Sequence, residues 1–223
     1  MRTLLFVFAV SAGIPLLAQK PSAKRAFPVQ LSTRLNAATP AEAGQRLSAP
    51  FSDGSAHPAG VNTCAELLLV ANKIDGDGPD AQARRSTLAD CLVLKELSQA
   101  SAARSSFVAD LKWDERVLPM LPAELAINVS DEAILGARGK VWVDLDKTAT
   151  AAETGPDQIV VKGKAFTERL IIWGRADFNH DGRQDLLVQT LDTLTEGTYR
   201  NTRLFILTRK SPKARLTVVR ELL

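Results

Sequence analysis

Residues 165–191, AFTERLIIWGRADFNHDGRQDLLVQTL, hold two apolar runs on either side of a polar loop. Both runs are short and rich in β-branched or aromatic residues, which is typical of β-strands. Within the loop, residues 177–185, DFNHDGRQD, place acidic or amide side chains at alternating positions and then a glycine. The stretch therefore predicts a strand, a tight loop with clustered oxygen atoms, and a second strand.

The spacing of the loop residues suits a hard cation. Calcium takes about six to eight oxygen ligands, and a chain supplies them by curling round the ion so that alternate side chains point inward. Gly182 stands where the backbone must turn sharply. We expect the backbone carbonyl of Arg183 to face the ion while its side chain points away. The predicted metal ligands are Asp177, Asn179, Asp181, Arg183 and Asp185.

The segment ADFNHDGRQDLLV, residues 176–188, resembles the calcium loop of FG-GAP and VCBS-type repeats, whose core reads D-x-D/N-x-D-G-x-x-D-L-x-V. The resemblance implies Ca²⁺ as the ion and the side chains of Asp177, Asn179, Asp181 and Asp185 as its ligands. FG-GAP proteins repeat this unit to form propeller blades. This chain has a single copy, so the resemblance extends to the site and not to the fold.

The loop is EF-hand-like without being a complete EF-hand. An EF-hand closes its loop with a bidentate glutamate at the twelfth position, and that position is Val188 in this sequence. An Asx-rich turn that binds no ion is the first alternative, since its side chains could cap their own backbone. Its carboxylates would then repel one another without compensation, which favours a metal site. Magnesium is the second alternative, and calcium is preferred because the ligand set is flexible and made of oxygen atoms.

Short alternating runs continue on both sides of the loop in the second half of the chain. They read as strands in KVWVDL, QIVVK, AFTERLIIW, DLLVQTL, TRLFILTR and RLTVVREL, with a tight KGK connection between the second and the third. Helical periodicity dominates the first half. Helices followed by strands predict an α+β fold, in which a disulfide-tied helical hairpin precedes and packs on an antiparallel β-sheet with meander topology.

The predicted hairpin consists of NTCAELLLVANKI and AQARRSTLADCLVLKELSQA, with DGDGPD as the turn between them. Asn62 or Thr63 suits the first N-cap, and Pro79 suits the first turn of the second helix. Cys64 and Cys91 are the only cysteines. In an exported chain we expect them to form a disulfide, and two buried free thiols are the alternative. Further helical turns are predicted for SSFVADLKW and SDEAILGARG.

The N-terminal sequence has the layout of a secretory signal peptide. One cation, Arg2, precedes an apolar run that is too short to span a bilayer. We predict residues 1–18 as the signal peptide, with cleavage after Ala18. Cleavage after Ala12 is an alternative, and so is an apolar N-terminal core helix. The expected location is periplasmic or secreted.

The remaining sequence divides by composition. Residues 19–60 are rich in Pro, Ala and Ser and predict an extended arm, parts of which pack on the domain. Residues 61–223 predict a single α+β domain. Within it, residues 61–138 are mainly helical, and residues 139–223 are mainly antiparallel strands that include the calcium loop 177–185.

Charge and motif content exclude several classes of protein. The net charge is +3, which is far from the concentrated positive face of a nucleic-acid binder. No further apolar run has the length of a transmembrane segment. His57 lies in the arm and His180 in the loop, and neither has a nearby nucleophile motif, so no catalytic or organic cofactor-binding residues are assigned. Asp144 and Asp146 are the acid pair considered for glycan hydrolysis, with solvated carboxylates as the alternative.

We therefore expect an exported, calcium-stabilised binding protein of the bacterial envelope, of the inhibitor or immunity type, with a protein partner in the envelope. A cell-wall hydrolase with an unrecognised site and a purely structural envelope component are the alternatives. The scarcity of His and Cys chemistry favours binding over catalysis. Tyr199, Arg200 and Arg203 in GTYRNTR are expected in an exposed turn, where Tyr and Arg are favoured contact residues.

Overall fold

The computed structural model describes residues 26–32, 61, 63–71, 79–127, 130–196 and 198–223. The predicted signal peptide, most of the predicted arm and most of the predicted interhelix turn lie outside the described residues.

An antiparallel sheet forms the second half of the molecule. Its strands are β1 (Gln30–Leu31), β2 (Ser105–Ser106), β3 (Thr150–Gly155), β4 (Gln158–Lys162), β5 (Phe166–Ala176), β6 (Arg183–Leu194), β7 (Arg200–Arg209) and β8 (Leu216–Glu221). Strands β3 to β8 lie side by side in sequence order, each antiparallel to the next. At the end of the sheet that carries the polar loop, β1 pairs with β5, and the two-residue β2 pairs in parallel with β6. The fold is α+β, and β3 to β8 form a meander.

Helical segments precede and flank the sheet. They are α1 (Cys64–Leu69), α2 (Pro79–Gln99), α3 (Asp131–Ala137), α4 (Trp142–Leu145) and two 3₁₀ helices, η1 (Glu115–Met120) and η2 (Ala123–Leu125). Thr63 caps α1, because its hydroxyl accepts the Glu66 amide while the Glu66 carboxylate accepts the Thr63 amide. Ser130 caps α3 by a single bond, in which its hydroxyl accepts the Ala133 amide at 3.2 Å.

The two faces of the sheet are buried in different cores. One face packs under η1, η2 and α4, in a cluster that includes Trp142, Leu170, Val188, Phe205 and Leu207. The other face packs under α2, in a cluster that includes Val93, Leu97, Leu187, Leu204 and Ile206. Alternate residues of β6 and β7 belong to opposite clusters, as the period of a strand requires.

The predicted disulfide is confirmed. Cys64 and Cys91 are bonded, with their Cα atoms 5.1 Å apart, and both are buried. The bond joins α1 to α2 and lies within a third apolar cluster, which also includes Val61, Leu67 and Leu88.

Two local predictions are wrong. KVWVDL does not form a strand, because the Asp144 carboxylate accepts the Val141 amide at 3.0 Å and starts the short helix α4. This turn places Trp142 in the core with no exposed surface. SSFVADLKW does not form a helix, because the Ser106 hydroxyl accepts the Val108 and Ala109 amides and holds the chain in a turn. The first strand of the meander is instead β3, in a segment for which no strand is predicted.

Part of the predicted arm attaches to the sheet. Phe27 exchanges backbone hydrogen bonds with Ala103 at 2.8 and 2.9 Å, and β1 follows directly. In the part of the chain that the structure describes, no helix has the length and apolar character needed to cross a membrane.

Candidate metal centre

The polar loop lies between β5 and β6, so the predicted strand–loop–strand arrangement is present. Asp177 organises it from a buried position, with 4% of its surface exposed. One of its carboxylate oxygens accepts the Asp181 amide at 3.0 Å, and the other accepts the Gly182 amide at 2.7 Å. These bonds curl the chain around the Asp177 carboxylate.

Two further side chains cap neighbouring amides. The Asn179 side-chain oxygen accepts the Asp181 amide at 3.0 Å, and an Asp181 oxygen accepts the Arg183 amide at 2.8 Å. Both side chains belong to exposed residues, so the loop has one buried and one solvent-facing side. Such bonds between residues two apart are those of Asx turns, and they curl the loop backbone.

Arg183 forms an ion pair with Asp181. Its guanidinium donates to the second Asp181 oxygen at 3.0 and 3.2 Å. The attraction between opposite charges accounts for this, because Asp177 and Asp185 leave an acidic surplus around Asp181. Burial works to raise the pKa of Asp181, but the hydrogen bonds and charge of Arg183 outweigh it and lower that pKa. For Asp181 to bind an ion, its carboxylate must turn from Arg183 towards the loop interior.

Asp185 closes the loop at the start of β6 and has no exposed surface. One carboxylate oxygen accepts the Phe178 amide at 3.3 Å, whereas the other, Oδ1, has no hydrogen-bond partner among the described residues. Burial raises the pKa of Asp185 to about 6, although the nearby Thr208 hydroxyl acts in the opposite direction. The Thr208 hydroxyl has no partner within hydrogen-bonding geometry among the described residues. A buried carboxylate oxygen without a donor is costly, and a cation is a group that would satisfy it.

Gly182 has a backbone requirement of its own. Its φ is +83°, in the left-handed region where glycine is favoured. A Cβ atom at this position would lie 2.6 to 3.0 Å from the guanidinium of Arg104. The Gly182 carbonyl also accepts the Arg104 and Ser105 amides at 2.8 and 3.1 Å. The segment that follows α2 therefore supports the loop from outside.

His180 lies on the exposed side of the loop, with φ at +60°. Its Nδ1 is 3.5 Å from the Ser101 hydroxyl, and Ser101 exchanges backbone hydrogen bonds with Asp177 at 2.9 and 3.2 Å. The His180 side chain therefore faces away from the oxygen atoms inside the loop.

The structure brings the predicted ligands onto one short loop without arranging them as a finished coordination sphere. No three His, Cys, Asp or Glu side chains within the described ranges are placed to hold a metal ion. The reason is local, because Asp177 uses both oxygens on backbone amides and Asp181 is turned to Arg183. The donor set still fits a hard cation, since it consists of carboxylate and amide oxygens with one buried oxygen unused.

A second polar cluster lies at the opposite end of β5 and β6, and sequence reasoning missed it. Glu168 and Asp192 are directly opposite each other across the two strands, and both are buried. The Arg203 guanidinium on β7 donates to Asp192 at 3.1 Å and to the backbone carbonyls of Glu124 and Ala126 at 2.9 Å each. Arg203 thus ties the η2 segment to the sheet. The prediction of an exposed Arg203 is wrong.

Glu168 is the most constrained member of this cluster. Neither of its carboxylate oxygens has a partner within hydrogen-bonding geometry in the described part of the chain, although the Ile127 amide is near enough to lower its pKa slightly. Burial, and then the charge of Asp192, raise the pKa of Glu168 well above its usual range, while Arg203 opposes that shift. The alternation of the strands could have indicated this cluster. Glu168 is two residues from Leu170, and Arg203 is two residues from Phe205, so each lies on the same strand face as a core residue.

The acid pair considered for glycan hydrolysis serves as backbone acceptors. Asp144 accepts the Val141 amide, and Asp146 accepts the Thr148 and Lys164 amides at 2.8 and 2.9 Å. Hydrogen bonds from Thr148, and then from Lys164, lower the pKa of Asp146. These contacts fix turns, which is not the arrangement that a general acid requires.

Comparison with known proteins found no matching family model, no matching curated protein and no matching solved structure. The assignment of the site therefore depends on the loop residues and their geometry.

Proposed function

We propose that the loop of residues 177–185 binds calcium and that the ion stabilises the folded domain. The buried, unpartnered Oδ1 of Asp185 is the observation that carries this proposal. The ligands would be the side chains of Asp177, Asn179, Asp181 and Asp185 with the Arg183 carbonyl. The calcium charge would offset carboxylates that the loop now holds with backbone amides and one arginine.

Thermal unfolding of the full chain tests the proposal. An ion that binds the folded state alone stabilises it by about 2.7 kcal/mol at a hundredfold excess over Kd. For a domain of this size the expected rise in Tm is about 5–10 °C in calcium relative to EDTA. Magnesium should give a smaller rise, because it demands a rigid octahedral site. A melting curve indifferent to calcium and EDTA would end the proposal.

Two substitutions separate ion binding from general stability. Asp177→Ala should abolish the calcium shift and also lower stability in EDTA, because two backbone amides lose their acceptor. Asp185→Asn should abolish the shift while leaving stability in EDTA equal or higher, because a buried charge is removed. Asp110→Ala, at an exposed acid outside residues 177–185, is the matched control and should keep the full shift.

We further propose that the protein is a non-enzymatic binding module of the bacterial envelope, of the inhibitor or immunity type, located in the periplasm or secreted. The disulfide supports an oxidising compartment. The use of Asp144 and Asp146 as turn-fixing acceptors weakens the hydrolase alternative. In this proposal the whole helical hairpin docks on the sheet, with α2 in direct contact and α1 held to it by the disulfide.

Co-purification from periplasmic extract tests the binding role. Tagged wild-type protein in calcium should retain a stoichiometric protein partner, and Asp177→Ala should lose it. Asp110→Ala should retain it. Turnover of peptidoglycan by the pure protein would instead establish the hydrolase alternative.

A further inference from the structure

A groove separates the helical hairpin from the last strand of the sheet. It encloses about 260 Å³ and lies where the apolar cluster around the disulfide meets the cluster under α2. Its apolar lining is supplied by Leu68, Ala71, Leu88, Leu92, Leu222 and Leu223.

The charged side chains at the groove are both cationic. Arg85 and Lys95 line it, and both residues are exposed. Neither forms an ion pair with an acidic side chain of the described residues. Arg85 is steadied by a 3.0 Å hydrogen bond from its guanidinium to the Asn201 side chain, and Glu221 is its acidic neighbour without reaching contact distance. The groove thus combines an apolar floor with two cations that form no ion pair within the described residues.

The two cations flank the apolar floor along one helix face. Arg85, Leu88, Leu92 and Lys95 follow one another at spacings of three and four residues on α2. At about 1.5 Å of rise per residue, the cations stand about 15 Å apart along the helix. The disulfide fixes the α1 wall relative to this face. A preformed groove of this kind binds a ligand without the cost of ordering its own walls.

We propose that this groove binds a medium-chain aliphatic carboxylate, with the chain on the leucine floor and the carboxylate at Lys95 or Arg85. The groove volume of about 260 Å³ suits a single aliphatic chain of about the size of octanoate, and it lies just below the range of about 300–1,000 Å³ that is usual for the sites of drug-sized ligands.

Isothermal titration calorimetry of the full chain with sodium octanoate, below its micelle concentration, tests the assignment. Saturable binding is expected with a Kd on the order of 0.1–1 mM. Butanoate should bind at least tenfold more weakly, because it leaves most of the floor uncovered. The absence of saturable heat with octanoate would overturn the proposal, as would tighter binding of acetyl-leucyl-leucine than of octanoate.

Substitutions at the two halves of the groove give the sharper readout. The double variant Arg85→Gln, Lys95→Gln should weaken octanoate binding about tenfold and leave 1-octanol binding unchanged, since only the carboxylate loses its partner. Ala71→Phe should abolish binding of both by filling the groove. Lys210→Gln, an exposed cation on another hairpin, should change neither. Equal weakening by Lys210→Gln would show non-specific attraction and would overturn the assignment.

The double variant also keeps the test valid if Ala71→Phe does not fold. Arg85 and Lys95 are exposed, so their neutral variants should keep the wild-type circular dichroism spectrum even if Ala71→Phe does not. Unchanged octanoate affinity in a folded double variant would overturn the role of the cations and, with it, the proposed ligand class.

Discussion

The two ends of the β5–β6 pair hold acidic groups in opposite ways. At one end, the carboxylates of the loop around Asp177 accept hydrogen bonds from backbone amides two to seven residues away along the chain. At the other end, Glu168 and Asp192 meet through strand register, and Arg203 arrives from a third strand. The first arrangement is local and partly exposed to solvent, whereas the second is assembled from distant segments and its two carboxylates are buried. A carboxylate can therefore obtain its hydrogen-bond donors from residues nearby in sequence or from residues of distant segments. The loss in the free energy of unfolding when a partner is removed should differ between the two cases.

The largest effect on the free energy of unfolding is expected at the buried cluster of Glu168, Asp192 and Arg203. Arg203→Leu leaves Asp192 buried without its partner and releases the carbonyls of the η2 segment. Breaking a buried pair on one side costs about 3–5 kcal/mol, and we expect a loss of that size in urea unfolding followed by tryptophan fluorescence.

The control for this loss is on the same strand. Arg200→Leu changes an exposed arginine at the start of β7 and should alter stability by less than about 0.5 kcal/mol. Equal losses in the free energy of unfolding for Arg200→Leu and Arg203→Leu would show that the buried cluster contributes no more to stability than an exposed arginine does.

A pH dependence is expected from Glu168. Because its pKa in the folded protein is raised by burial and by Asp192, the folded state keeps a proton that the unfolded chain releases above about 4.5. The contribution of Glu168 to the free energy of unfolding should therefore fall as the pH rises from that value, by at most about 1.4 kcal/mol per pH unit, until the raised pKa is passed. Glu168→Gln cannot ionise, so its advantage over wild type should be absent at pH 4 and should grow towards pH 7.

Urea unfolding at pH 4, 5.5 and 7 measures that advantage. Glu153→Gln, at an exposed glutamate on β3, is the control and should run parallel to wild type across the range. A difference between Glu168→Gln and wild type that stays constant with pH would contradict the assignment of a retained proton.

A smaller effect is expected at the loop end from Gly182→Ala. The new Cβ would meet the Arg104 guanidinium and would have to adopt a φ near +83°. Strain of this kind costs about 1–2 kcal/mol. Gly136→Ala is the matched control, because its Cβ would enter open space on α3 and should stabilise by about 0.5–1 kcal/mol. Thermal unfolding of both variants in EDTA checks the opposite signs.

The smallest effect is expected from His180→Asn. Asparagine tolerates the left-handed backbone that His180 adopts, and the histidine side chain is exposed. Stability should change by less than about 0.5 kcal/mol, and the calcium response in a thermal melt should be that of wild type. Loss of the calcium shift in this variant would mean that the imidazole, rather than the oxygen atoms alone, takes part in the site.

Predictability follows the same division between local and distant contacts. The strands β4 to β8, the helices α1 and α2 and the Thr63 cap are specified by nearby residues, and these predictions are confirmed. The position of the loop between two strands could be predicted for the same reason, since its backbone amides and their acceptors lie within a few residues of each other. The disulfide is confirmed as well, and its prediction follows from the presence of only two cysteines in a chain expected to be exported.

Two failures have a local cause, because the Ser106 and Asp144 side chains accept nearby amides and turn the chain. In KVWVDL a distant contact adds to this, since the core beneath η1 and η2 takes Trp142 from the helical turn. The strand β3 carries few apolar residues, so alternation could not reveal it, and its pairing with β4 defines it. Arg203 has a buried position because register places it beside Thr190, between the two carboxylates and the η2 segment.

The pairing of β1 with β5 has a consequence for the order of assembly. Each hairpin from β3 to β8 closes a short loop, whereas β1 joins Gln30 to Arg175 across most of the chain. Contacts of such separation form slowly, because the entropy of closing the intervening chain is lost first. We therefore expect β1 to be the last strand to dock, so that in pulsed hydrogen exchange the Ser32 amide, which donates to the Trp173 carbonyl at 3.0 Å, gains protection after those of β6 and β7. Until then, the edge of β5 that receives β1 stands open, and the interval before docking is the period in which the chain is most exposed to pairing with another copy of itself.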